Sequence, residues 1–192
     1  ARVVRGATIR PGCGIHIEGK SLLAGDVELP ETQREQIEVA RRRGVGALAL
    51  SYVRSASDVT KLREHCREQP GGYDPRIVAK VERPEAMDDL EAICDASDEI
   101  WFCRGDLGSL VPLRELGGMQ ARALDVAQAK NTDILIAGQV FHHLADHPRP
   151  TRSEVVHLHS IREGGAAGIV LSDETAIGRD PAGALRAVVE LL

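Results

Sequence analysis

The sequence predicts a parallel α/β fold, and three observations carry that reading. Five short apolar runs are separated by amphipathic stretches of helical period, the alternation that yields a parallel sheet with helices outside it. Helix-start and helix-stop residues fall between the runs. Charged residues gather where the apolar runs end, which is where open and closed α/β folds place their ligands.

Taken in order, residues 1 to about 29 alternate apolar and polar positions and are broken at Pro11-Gly12 and Gly14, as in short β structure with turns. An amphipathic helix follows over Glu31 to Arg43 and stops at Gly44. Ala47 to Val53 reads as the first buried strand, and Ser57-Asp58 caps a helix to about Glu68. Ile77 to Glu82 is the second strand, and Pro84 suits the first turn of a helix reaching Cys94. Ile100 to Cys103 is the third strand, running out into Arg-Gly-Asp-Leu-Gly. Leu113 to Lys130 is helical despite Gly117-Gly118, and strand Asp133 to Ala137 comes next. Thr151 to Glu154 has the pattern of a capping box opening a helix to about Glu163. Strand Gly168 to Ser172 and a helix beginning at Asp180-Pro181 complete the series. A closed (β/α)8 barrel needs eight strands and about 250 residues. Five units therefore make either most of a barrel whose first strands lie elsewhere, or an open doubly wound domain.

With 192 residues, 43% hydrophobic and 28% charged, the chain can bury one sizeable core. A net charge of -5 argues against a general nucleic-acid or acidic-membrane surface. No apolar run reaches the roughly 18 residues of a membrane helix, and no signal-like segment opens the chain. The first residue is Ala1, which hints at processing or at a longer protein. Cys13, Cys66, Cys94 and Cys103 form no C-x-x-C pair. Cys94 and Cys103 lie in apolar runs as small core residues, and a reducing, cytoplasmic setting is expected.

The stretch from Arg76 to Gly108 concentrates the chemistry. The period-2 pleat puts Lys80 and Glu82 on one face of their strand, and Asp106 follows the neighbouring strand. A cation flanked by two carboxylates suits phosphoryl transfer or enolate chemistry, with the carboxylates holding a divalent metal and the ammonium neutralising developing charge. The same three residues read equally well as a buried structural ion pair.

Six segments together resemble the pyruvate kinase family: DVELPETQREQ, LSYVRSASDV, IVAKVERPEAM, ASDEIWFCRGDLG, HPRPTRSE and LSDETAIGRDP. Their order and spacing also fit, from about residue 26 to the end. The resemblance implies a (β/α)8 TIM-type barrel of the phosphoenolpyruvate/pyruvate-binding kind, represented here by strands four to eight and therefore incomplete. Residues 1–25 would be the tail of a small β-domain inserted in that barrel, and 26–192 the partial barrel itself. It implies phosphoryl transfer between phosphoenolpyruvate and ADP. Lys80 matches the lysine that stabilises the phosphoryl group, and Glu82 and Asp106 match the ligands of Mg2+ or Mn2+. The backbone N–H groups of Gly105 and Asp106 match those that hold the substrate carboxylate. Ser51 matches a contributor to a K+ site, and Ser172 a serine near the proton-transfer end of the pocket. Further segments of the same protein, or other copies of it, are the expected partners.

Departures from the family pattern matter too. Gly138 in IAGQV stands where the family has a substrate-binding threonine, and LSDETAIG replaces LSGETAKG at Asp173 and Ile177. The family's phosphate-binding arginine and most of its potassium ligands belong to earlier strands. Two rival readings follow: a metal-dependent lyase or aldolase acting on a pyruvate enolate, and a non-catalytic module. His142, His143, His147, His157 and His159 have spacings that can bind metal, but they read better as surface histidines. Arg149 and Arg152 read as solvated or paired with Glu154.

Overall fold

The structure is a computed structural model, and it describes residues 29–192. The proposed tail of an inserted β-domain, residues 1–25, lies outside the described residues, as does Cys13.

The described chain is a five-stranded sheet in the order β1-β2-β3-β4-β5, every neighbouring pair parallel. The strands are β1 (Ala47–Leu50), β2 (Arg76–Val81), β3 (Glu99–Cys103), β4 (Asp133–Ala137) and β5 (Gly168–Val170). The long connections are α1 (Glu31–Arg42), α2 (Ala56–Arg67), α6 (Leu113–Lys130), α7 (Arg152–Glu163) and α9 (Pro181–Val189). Shorter helices lie between them: α3 (Pro84–Asp88), α4 (Leu90–Ala96), α5 (Arg104–Leu110) and α8 (Asp173–Ala176), with a 3-10 turn at His142–Ala145.

The pleat divides the sheet into two faces. Ile77, Ala79 and Val81 of β2, Ile100 and Phe102 of β3, and Ile134 and Ile136 of β4 are buried in the core with the helices. At roughly 1.5–3 kcal/mol for each large apolar side chain, this layer holds the helices to the sheet. The opposite face carries Lys80, Trp101 and Leu135 in register, and Ala47 and Ala49 of β1 are exposed there. Cys94 and Cys103 are free and buried, as expected of small core residues, and Cys66 is free and buried too. Among the described residues no helix is long and apolar enough to cross a membrane.

Several boundaries differ from the sequence reading, each for a physical reason. β1 ends at Leu50 instead of Val53 because Tyr52 takes a left-handed backbone, φ 58°. Ser55, not Ser57-Asp58, precedes α2, and Asp58 instead accepts the Arg54 N–H (2.9 Å) and pairs with its guanidinium (3.0 Å). The helix from Pro84 breaks at Asp89, φ -106° and ψ 18°, whose carboxylate is turned to accept the Ala56 N–H at 2.8 Å. Arg-Gly-Asp-Leu-Gly is itself helical, and β5 stops at Val170. The capping box at Thr151 is present, with Glu154 N–H on Thr151 Oγ1 at 3.1 Å and Thr151 N–H on Glu154 Oε2 at 2.7 Å.

Candidate active site

Because all five strands run the same way, the residues that follow them line one rim. Ser51 and Tyr52 follow β1, Glu82 follows β2, Asp106 lies in the first turn after β3, Gly138 follows β4 and Ser172 follows β5. Lys80 rises to the same rim from within β2.

Lys80, Glu82 and Ser51 are in direct contact. Lys80 Nζ lies 2.7 Å from Glu82 Oε1 and donates to Ser51 Oγ at 3.1 Å. Glu82 is 3% exposed, so its charge must be met inside the protein. Its other oxygen, Oε2, accepts the Tyr52 N–H at 2.8 Å. Burial works against the Lys80 ammonium, yet the hydrogen bond and charge of Glu82 outweigh it and hold Lys80 above the usual lysine pKa. Lys80 therefore stays charged at the rim.

Asp106 joins this group through Tyr52, whose hydroxyl donates to Asp106 Oδ1 at 3.3 Å. The Asp106 charge, then burial, then Glu82 raise the Tyr52 phenol above its ordinary pKa, so it keeps its proton. Burial first, and Glu82 second, push the nearby Cys103 thiol up to about 12. Cys103 is thus no nucleophile.

Gly138 and Gly105 form a second part of the rim. Gly138 has φ +86°, and a Cβ placed on it would sit 3.1 Å from the Gly105 nitrogen. Its carbonyl accepts Arg104 Nε at 3.0 Å and Nη2 at 2.5 Å. Arg104 Nη1 lies 3.2 Å from His157 Nε2 on α7. Burial lowers the Arg104 pKa, and burial followed by the Arg104 charge lowers that of His157, which favours a neutral imidazole accepting from the guanidinium.

Ser172 stands apart from the lysine group. Its N–H and hydroxyl both go to Glu174 Oε2, at 2.8 and 3.3 Å, while Glu174 Oε1 accepts the Phe141 N–H at 3.2 Å. Glu174 is fully buried and ties the end of β5 to the loop after β4. The sequence reading missed Tyr52, Arg104 and Glu174. All three lie inside segments it singled out, but their value comes from backbone turns and cross-strand contacts that spacing does not reveal.

The histidines build no metal centre. His143 and His147 stack at 3.8 Å, and among the described residues no three His, Cys, Asp or Glu side chains are placed to share an ion. Arg149 and Arg152 are exposed, and Glu154 serves the capping box and the His143 N–H at 2.9 Å.

A family profile described as the pyruvate kinase barrel domain matches residues 2–185. The chain belongs to the pyruvate kinase family. It is 35% identical to the pyruvate kinase of Mycobacterium tuberculosis over 190 residues, 99% of this chain and 39% of that protein. It is 31% identical to pyruvate kinase 1 of Saccharomyces cerevisiae over 176 residues, 90% of the chain and 35% of that protein. A crystal structure of a pyruvate kinase from Cryptosporidium parvum superposes with TM-score 0.81 at 25% identity, covering 85% of this chain and 34% of that one. The five parallel strands are thus part of the pyruvate kinase barrel. The chain spans about two fifths of the length of the curated relatives it matches.

The donor chemistry at the rim suits a hard divalent cation such as Mg2+ or Mn2+. Glu82 and Asp106 supply carboxylate oxygens from adjacent strand ends, and each keeps lone pairs beyond those taken by Lys80 and Tyr52. Such ions are commonly held by one or two carboxylates, with water and substrate oxygens completing the shell.

Proposed function

We propose that this chain supplies the phosphoryl-transfer half of a pyruvate kinase site, acting on phosphoenolpyruvate and ADP to give pyruvate and ATP. The observation that carries the reading is the Lys80 ammonium, held between Glu82 and Ser51 at the strand rim with Asp106 beside it.

In this reading the bond from phosphorus to the enol oxygen of phosphoenolpyruvate breaks as a terminal oxygen of ADP bonds to phosphorus. The departing enolate then takes a proton at its methylene carbon. Lys80 lies where negative charge on the transferring group needs compensation, and charge fixed beforehand in a partly buried site is the most effective kind. The Gly105 and Asp106 N–H groups, in the first turn of α5, are the donors for the substrate carboxylate. Glu82 and Asp106 would hold a divalent cation, which supplies further charge neutralisation on substrate oxygens. The Ser51 hydroxyl, engaged by Lys80, is the residue assigned to a K+ site. Ser172, with its proton directed at Glu174, marks the proton-delivery end. The remaining groups of the pocket come from further segments of the protein.

The test is ADP-dependent pyruvate formation from phosphoenolpyruvate in a coupled assay, using the whole protein with Mg2+ and K+. Wild type should turn over, and Lys80→Met should lose at least a hundredfold in kcat. Release of pyruvate from a 4-hydroxy-2-oxoacid without any nucleotide would instead favour a lyase.

A further inference from the structure

Among the described residues, Tyr52 is the one whose hydrogen bonds reach both carboxylates of the proposed cation site, and it makes them with two different groups. Its backbone N–H donates to Glu82 Oε2 at 2.8 Å, and its phenol hydroxyl donates to Asp106 Oδ1 at 3.3 Å. Glu82 follows β2 and Asp106 follows β3, so neither strand alone fixes the two carboxylates relative to each other.

The backbone at Tyr52 is costly to make. Its φ of 58° is uncommon for a residue with a side chain, and such conformations persist where the surroundings over-determine them, often at functional sites. The chain turns there immediately after β1. That turn aims the N–H at one carboxylate and lays the ring towards the other. Tyr52 is 46% exposed, so apolar burial is not the main return for the strain.

We propose that Tyr52 is a positioning residue for the divalent cation, holding Glu82 and Asp106 in mutual register so that their remaining lone pairs meet one ion. The inference rests on the assignment of Glu82 and Asp106 as cation ligands. Outer groups that orient metal-binding carboxylates act in this way, and removing one typically weakens metal binding by about 10- to 100-fold. The hydroxyl at 3.3 Å is a long bond, so the lower end of that range is expected. In this role the contribution of Tyr52 comes through the two carboxylates.

The experiment uses Mn2+ and the whole protein without substrate. Bound Mn2+ is counted by electron paramagnetic resonance for wild type, Tyr52→Phe and Tyr73→Phe. Tyr73 makes the same kind of bond elsewhere, its hydroxyl donating to the Val45 carbonyl at 2.6 Å, and so controls for loss of any phenol hydroxyl. Tyr52→Phe should bind Mn2+ about tenfold more weakly with an unchanged melting temperature, and Tyr73→Phe should bind as wild type. In a second measurement, 3-fluorotyrosine is incorporated and Mn2+ should broaden the 19F signal of Tyr52 and spare that of Tyr73. If the Tyr52 signal broadens but Tyr52→Phe binds Mn2+ as well as wild type, or more tightly, the positioning role is overturned and the cation site stands. If neither signal broadens, the cation site is misplaced and the positioning role falls with it.

Discussion

The Gly138 carbonyl accepts two hydrogen bonds from the Arg104 guanidinium, at 3.0 and 2.5 Å, and thereby fastens the end of β4 to the end of β3. The sequence suggested a different role for Gly138, as a position that had only lost a threonine hydroxyl worth roughly 1.5–3 kcal/mol to a charged ligand. The geometry changes what a threonine there would do. At φ +86°, with a Cβ 3.1 Å from the Gly105 nitrogen, a β-branched residue is strained and also presses on a proposed carboxylate donor. Gly138→Thr should destabilise the protein by about 1–3 kcal/mol, lowering the melting temperature by several degrees. It should not raise kcat/KM for phosphoenolpyruvate. A stable variant with increased turnover would contradict this account.

The Lys80 and Glu82 pair should show strong coupling. Lys80→Met leaves a carboxylate that is 3% exposed without its cation, at a cost of about 3 kcal/mol, the low end for a buried pair because Lys80 is 23% exposed. Glu82→Gln in the same chain should return part of that loss. Urea denaturation of the two single variants and the double variant measures the coupling, expected at about 1–3 kcal/mol. Strict additivity would mean that the two side chains do not depend on each other.

His157 should make stability fall on mild acidification. Its folded pKa lies below the ordinary value of 6.5, first through burial and then through the Arg104 charge. Below pH 6.5 the unfolded chain therefore binds more protons at this position than the folded one, and stability is lost from there down to the lowered folded pKa. Above pH 6.5 no such loss occurs. Comparing urea midpoints at pH 7.5 and 5.5, wild type should lose more than His157→Gln. Equal losses would show that the imidazole is not held neutral against Arg104.

Glu174 is a carboxylate with no exposed surface, and it accepts from two backbone N–H groups and one hydroxyl. Glu174→Gln turns one of its ends into a donor facing another donor. A loss of about 1–3 kcal/mol is expected, together with faster hydrogen exchange at Phe141 and Ser172. If exchange at those two amides does not change, Glu174 is not what binds the end of β5 to the loop after β4.

The strand series was legible because buried parallel strands are near-continuous apolar runs, and Ile77 to Val81 or Ile134 to Ala137 has no competing reading. Lys80 and Glu82 were also legible, since the pleat alone puts them on one face. What spacing hid was conformational. Nothing in Ser51-Tyr52-Val53 announces a left-handed tyrosine that cuts the strand short, and nothing in Gly138 distinguishes a missing side chain from a required backbone shape. Arg104 read as part of a strand exit, yet it begins a helix and reaches across to β4. Glu174 was passed over because its partner Phe141 is remote in sequence.

Among the described residues, each strand of this sheet pairs only with the strand that precedes or follows it in the chain. Among these five strands no pairing has to wait for a distant segment, so the loop-closure entropy at each of these steps is that of one βα unit. Folding can therefore proceed by accretion, each new unit docking on the one before it as it leaves the ribosome. The same order makes the chain divisible. Separately expressed pieces cut in the exposed turn at Gly71-Gly72 should reassemble, because the β1 and β2 pairing, the packing of α2 and the hydrogen bonds of Ser51, Tyr52 and Ala56 to Lys80, Glu82, Asp106 and Asp89 all favour rejoining across the break.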